Sequence, residues 1–355
     1  MSRTGYYPGC SLKGTAREYE ESLLAVAEKA GRPLAEIADW NCCGATAAHG
    51  TSHELAIALP ARVLAQAITG GMEELLVPCS GCYNRLMVTR HELSRDPALR
   101  DKISKMIGAD LKTPVRILNV LEWLETILAP GTEDPDHVAD QDPGQDPPRG
   151  DIPVRDDVPT QGDALKPDHD SGHSDAGDHD PDPVRELITH PFNHKVACYY
   201  GCFLTRPVDV LKPDSAEYPM AMDQLMERAG ATPVDWEFKV ECCGAAFAVS
   251  RTTTIARLSG LILENAVRRG AEAIIVACPL CHANMDLRRD AIQKERNREI
   301  DLPVLYLPQA IGLAMGIEPR QLGLHRHRVP VTFSLNPRNG APDQKPEPRT
   351  AKQPA

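Results

Sequence analysis

Ten of the eleven cysteines fall into two sets of five, in matching order. The first set is Cys10, the adjacent pair Cys42 and Cys43 followed by Gly44, and the C-x-x-C pair Cys79 and Cys82. The second is Cys202, then Cys242 and Cys243 followed by Gly244, then Cys278 and Cys281. A lone C-x-x-C fits zinc, thiol redox or chance; two matched sets of five are a specific signal. In a reducing compartment such cysteines serve as metal ligands or reactive thiols rather than disulfides. Soft thiolates without a matching histidine set favour iron–sulfur chemistry. Tetrahedral zinc and an ordinary cubane cluster each take four protein ligands, so a fifth thiol is either spare or part of a larger cluster. Structural zinc and metal-free thiol redox stay open as alternatives on this reading.

The geometry of the motifs supports a bulky inorganic group. Adjacent cysteines diverge from a single turn and can reach two metal atoms or two corners of one cluster. The glycine after each pair permits positive φ or a close backbone approach. Cys198 stands outside the pattern, its counterpart four residues before Cys10 being Tyr6, and reads as a packed thiol. His49, His282 and Lys13 lie near cluster cysteines and read as packing or surface residues before any tuning role. There is no G-x-G-x-x-G or G-x-x-x-x-G-K-[ST] motif, so electrons must come from another protein chain. No separate catalytic acid or base is indicated.

The elements that must position these cysteines are themselves repeated. YYPGC, WNCCGA, LLVPCSGC and PVRILNVLEWL recur as YYGC, VECCGA, IIVACPLC and PVLYLPQAIGL. Leu75 to Val77 and Ile274 to Val276 are short apolar runs that read as buried parallel strands, each followed by a C-x-x-C. Leu55 to Ile68 and Leu258 to Arg269 carry helical periodicity and stop at glycines. The expected fold is α/β, internally duplicated, with two pseudo-twofold related, Rossmann-like parallel-sheet halves. The C-x-x-C pairs then sit at the carboxyl ends of strands, where such folds bind ligands.

The chain divides into a first cysteine-rich domain at 1–128, an acidic insertion at 129–190, a second cysteine-rich domain at 191–320 and a Pro-rich tail at 321–355. The insertion concentrates the net charge of −11: from Ala129 to Arg185, fifteen Asp and one Glu face three Arg and one Lys. Its composition reads as a disordered spacer, with His137, His169, His173 and His179 as loose metal-binding candidates. The remainder is near neutral, which argues against nucleic-acid binding. The N-terminus lacks the apolar region of a signal peptide and no apolar run reaches membrane-spanning length. The expected location is cytoplasmic, without direct membrane insertion.

The segment YYPGCSLKGTAREYEES, the two CCG motifs and the two C-x-x-C pairs resemble the B subunit of the heterodisulfide reductases, the type member of the cysteine-rich CCG-domain proteins. The second copy departs by one residue fewer between its CCG and C-x-x-C motifs. The resemblance implies that Cys10, Cys42, Cys43, Cys79 and Cys82 bind one non-cubane [4Fe-4S] cluster, and Cys202, Cys242, Cys243, Cys278 and Cys281 a second. It implies disulfide or persulfide redox chemistry, as in methanogen heterodisulfide reduction or bacterial sulfur oxidation. The implied partners are the iron–sulfur C subunit and the flavin-containing A subunit of such a complex and, in sulfur oxidisers, a lipoate-binding carrier. Related cysteine-rich domains serve as electron carriers in dehydrogenases and quinone-linked complexes, which is the alternative reading.

Overall fold

The computed structural model describes residues 4–45, 48–111, 113, 115–128, 186–247, 250–333 and 335–337. Nearly all of the acidic insertion, with its four histidines, and the end of the tail lie outside the described residues. Eight strands form two sheets. The first orders β1 (Thr4–Tyr6), β2 (Ala35–Glu36), β3 (Glu74–Leu76) and β4 (Arg116–Leu118) as β2-β1-β3-β4. The second orders β5 (Lys195–Tyr199), β6 (Thr232–Pro233), β7 (Ala273–Val276) and β8 (Val304–Tyr306) as β6-β5-β7-β8. Every pairing is parallel. The α/β class and the two similar halves are therefore as the sequence implied.

Local chemistry explains the elements. Strand β7 is wholly buried and apolar, as a strand covered on both faces requires. The helix His53–Thr69 starts where Ser52 Oγ accepts the Leu55 N–H at 3.0 Å, and it ends at Gly70. Its counterpart Thr252–Arg268 stops before Gly270, which has φ +76°. The register of the repeat follows from pairing: Tyr6 opposite Leu76 in one half matches Cys198 opposite Ile275 in the other. Tyr7 therefore corresponds to Tyr199, and Gly9 to Gly201.

The halves interlock. The helix Leu307–Ala314, which ends the second half, packs on Arg17–Lys29, the first long helix of the first half. Reciprocally, Val120–Leu128 packs on Ala221–Arg228. Gly312 permits the first crossing, since a Cβ there would lie 2.5 Å from Leu322 Cδ2 and 3.3 Å from Val26 Cγ2. One apolar core runs through both halves. Residues 321–337, expected as the start of the tail, are part of this body: Leu322 and Leu324 are buried, and the Phe333 ring lies 5.4 Å from that of Phe192. Isolated apolar residues among prolines and basic residues hide such packing from composition. Among the described residues no helix is long and apolar enough to cross a membrane.

A buried ion pair anchors the turn that leads to Cys202. Lys239 and Asp223, both about 1% exposed, meet at 2.8 Å. Tyr200 donates to the same carboxylate at 2.8 Å. The Lys239 carbonyl accepts the N–H groups of Tyr200 and Gly201 at 2.9 and 3.1 Å. Removing one partner strands the other charge. Lys239→Met should lower unfolding free energy by about 3–5 kcal/mol in urea titrations. The double variant Asp223→Leu/Lys239→Met should recover much of that loss, and an unchanged midpoint in the single variant would contradict the assignment.

Candidate metal centres

In each half, the five cysteines come from the loops that follow three neighbouring strands, at their carboxyl ends. After β1 the chain turns at Gly9 with φ +66°, where a Cβ would stand 3.0 Å from Cys82 Sγ. Gly201 repeats this at φ +66°, with Cys281 Sγ 3.3 Å from a Cβ. Both the conformation and the approach of sulfur call for glycine. Tyr7 donates its hydroxyl to the Asn41 carbonyl at 2.8 Å, and Tyr199 does the same to Glu241, tying the first cysteine loop to the CCG loop in each half. The N–H groups of Gly44 and Gly244 each point at Sγ of Cys42 and Cys242 at 3.4 Å. After β3 and β7, Cys79 and Cys278 occupy the N-caps of the helices Ser80–Arg95 and Pro279–His282.

The structure brings each predicted set together. Sγ of Cys10 lies 3.6 Å from that of Cys42, and Cys43 lies 3.2 Å from Cys82, which also contacts Cys79. In the second set Cys202 contacts Cys242, Cys243 lies 3.4 Å from Cys281, and Cys281 contacts Cys278. The sets share a burial gradient: Cys10, Cys42 and Cys242 are exposed and Cys202 half-buried, whereas Cys43, Cys79, Cys82, Cys243, Cys278 and Cys281 are buried.

Crowding polarises the thiols. Donation from Cys10, then from Cys43, holds Cys42 down to about 2, and donation from Cys202 holds Cys242 down to about 6. Cys43 is pushed up to about 12, first by Cys42, and Cys82 and Cys281 are raised by their sulfur neighbours and by burial. Cys278 is lowered, first by donation from Cys281 and also by backbone N–H groups that include Gly81 of the other half. Five thiolates this close repel one another, so full deprotonation requires a cationic core at their centre. The all-sulfur donor set suits iron–sulfur ligation.

The two sets are neighbours. Ser80 Oγ donates to the Ala277 carbonyl at 3.1 Å, so the turn that carries Cys79 and Cys82 rests on the one that carries Cys278. The Tyr19 hydroxyl lies 2.9 Å from the Pro78 carbonyl and 3.0 Å from that of Ala277, the residues preceding Cys79 and Cys278. Its ring stacks on Tyr306 at 4.2 Å, and Tyr306 stacks on His282 at 4.2 Å. Asn84 donates to the carbonyls of Phe203 and Arg206, in the loop that begins at Cys202.

Cys198, Lys13 and His282, outside the two sets, have structural partners, and the side chain of His49 lies outside the described residues. Cys198 is buried in β5, where burial raises its thiol, and no cluster cysteine contacts it. Lys13 is held by Glu20 at 2.6 Å and Glu36 at 2.8 Å. His282 is buried, with Nε2 3.1 Å from the Val304 carbonyl. His282, Asp286 and His327 place ligand atoms within 4.8 Å of one another. Gln309 donates to His327 Nε2, and the Asp286 carboxylate accepts N–H groups of Arg328 and Val329, so the trio reads as a hydrogen-bonded bridge. The sequence reading missed Tyr7, Tyr199, Tyr19 and Asn84. Aligning the repeats as Tyr7 with Tyr199 would have found the first two; Tyr19 and Asn84 act across the interface and carry no repeat signal.

Comparison with known proteins agrees with this architecture. Residues 4–87 and 196–286 each match the cysteine-rich domain designated CCG. The 8-methylmenaquinol:fumarate reductase membrane anchor subunit of Wolinella succinogenes is 26% identical over 92% of this chain and 97% of its own length. The B subunit of the ferredoxin/F(420)H(2)-dependent CoB-CoM heterodisulfide reductase of Methanosarcina acetivorans is 24% identical over 93% of this chain and 94% of its own. The B subunit of the ferredoxin:CoB-CoM heterodisulfide reductase of Methanosarcina mazei is also 24% identical, over the same shares. The crystal structure of a hypothetical protein from Helicobacter pylori shares the fold at a TM-score of 0.65 and 13% identity, covering 94% of this chain and 53% of that one. This chain thus spans about half the length of that structure. The chain carries the cysteine-rich CCG domain twice and is homologous, over most of its length, to heterodisulfide reductase B subunits.

Proposed function

We propose that Cys10, Cys42, Cys43, Cys79 and Cys82 hold one non-cubane [4Fe-4S] cluster, that Cys202, Cys242, Cys243, Cys278 and Cys281 hold a second, and that the pair performs disulfide or persulfide redox chemistry. The observation that carries this reading is the direct contact between the two C-x-x-C turns through Ser80, Tyr19 and Gly81. A two-centre reaction on one sulfur–sulfur bond needs its centres side by side. Such clusters supply electrons one at a time and iron that sulfur can bind. The chain's own residues do the rest: the buried cysteines and the Tyr19–Tyr306–His282 stack keep water from the junction, and Tyr19 and Ser80 hold the two turns at fixed separation.

In this reading the chain is the B subunit of a heterodisulfide-reductase-like complex in the cytoplasm. It receives electrons from an iron–sulfur C subunit and a flavin-containing A subunit, with a lipoate-binding carrier as a candidate sulfur donor. Residues 129–185 serve as a spacer between the two cysteine-rich domains; the end of the expected 129–190 insertion belongs to the packed body, where Ile188 is buried in the core. The Wolinella relative favours a second reading, in which the chain passes electrons within a quinol-linked complex and has no substrate of its own.

Two measurements test these statements. Cys43→Ala or Cys243→Ala should remove about half of the iron and sulfide, since each variant loses one of two clusters. Cys198→Ala should keep the full complement. Full iron in both cluster variants would contradict the ligand assignment. Adding the mixed disulfide of coenzymes M and B, or lipoamide, to the reduced protein should change its electron paramagnetic resonance spectrum. Unchanged spectra from redox-active protein would instead support electron transfer alone.

A further inference from the structure

Around the sulfurs the two halves align position by position. Lys13 opposite Thr205 and Asp39 opposite Lys239 differ in charge but sit in ion pairs, whereas two further differences carry a charge without an ion pair among the described residues. Three residues after its last cysteine, the first half has Arg85 where the second has Asn284. Directly before the adjacent pair, the first half has Asn41 where the second has Glu241. Both differences make the surroundings of the first set more positive.

Arg85 lies one turn beyond Cys82 on the helix Ser80–Arg95, half-buried, and close enough to Cys43 for their charges to interact. Among the described residues no hydrogen bond occupies its guanidinium, although Glu92, further along the helix, acts on it electrostatically. Asn284 replaces that charge with an amide, whose Nδ2 lies 3.2 Å from the Cys243 carbonyl and 3.5 Å from Cys243 Sγ. Glu241, exposed, directly precedes Cys242 in the chain and places a carboxylate at the edge of the second set. Asn41 is neutral and donates to the carbonyls of Cys42 and Leu59. Three other basic residues near the sulfurs are paired with acids: Lys13 with Glu20 and Glu36, Arg62 with Asp39, and Arg206 with Glu217.

We propose that Arg85 and Glu241 set the order in which the two centres accept electrons, so that the centre held by Cys10, Cys42, Cys43, Cys79 and Cys82 is reduced first. The inference rests on the cluster reading given above. Each reduction adds one electron and no atoms, so it makes the centre more negative by one charge. A nearby cation stabilises that change and a nearby anion opposes it, more strongly where water is excluded. The Asn284 amide and the Gly81 N–H aimed at Cys278 favour the second centre, but dipole fields fall off faster than those of charges. An electron delivered by a partner therefore rests on the first half, and the second half holds the more strongly reducing centre.

The test uses the full chain, purified anaerobically, assayed for iron and sulfide and then titrated potentiometrically with dithionite under electron paramagnetic resonance. The wild type should show two separate midpoint potentials. Arg85→Gln should lower the upper one, reducing its equilibrium constant for reduction about tenfold, or ~59 mV for one electron, and leave the lower one in place. Glu241→Gln should raise the lower potential, and Arg85→Lys should restore the upper one. Fully loaded variants whose potentials match the wild type, or a wild type with coincident potentials, would overturn this assignment alone. Protein that takes up no iron on reconstitution would overturn the cluster reading and this assignment with it.

Discussion

Everything in this fold is arranged around sulfur atoms held 3.2–3.6 Å apart at the carboxyl ends of parallel strands. Thiols at that separation cannot all ionise beside one another, yet strand ends, N-caps and left-handed glycines hold them there. A chain that bears this electrostatic cost twice is organised to receive a cationic core at each site. Gly9, Gly201, Gly44 and Gly244 follow from the same demand, because each adopts positive φ where the loop must bend close to sulfur.

The duplication extends to the connection between the halves. The last helix of each half covers the first long helix of the other, so neither half completes its core alone. That exchange presses the two C-x-x-C turns together and creates a position with no equivalent in a single copy, the place of Tyr19. Its one hydroxyl lies within hydrogen-bond reach of carbonyls from both halves, and its ring begins a stack that runs to His282. Pseudo-symmetry is therefore close enough to pair the sites and broken enough to give them different surroundings, as Arg85 and Glu241 do.

Much of this was legible in the sequence, for physical reasons. Cysteine is rare and its spacing survives folding, so the grouping of the ten could be read directly. The runs ending at Val77 and Val276 were legible because central strands of a parallel sheet must be apolar on both faces. The edge strands Ala35–Glu36 and Thr232–Pro233 were not, since two-residue strands carry no period. Leu322, Leu324 and Phe333 were hidden among prolines and basic residues. Tyr19, Asn84 and the Lys239–Asp223 pair depend on contacts distant in sequence, which no local pattern encodes.

The central claim is that ten cysteines, five in each half, hold two four-iron centres. It is tested most directly by iron, acid-labile sulfide and zinc per chain on anaerobically purified protein. About eight irons and about eight sulfides, with little zinc, are the expected result for two such centres. Stoichiometric zinc with almost no iron, after attempted cluster reconstitution, would contradict it.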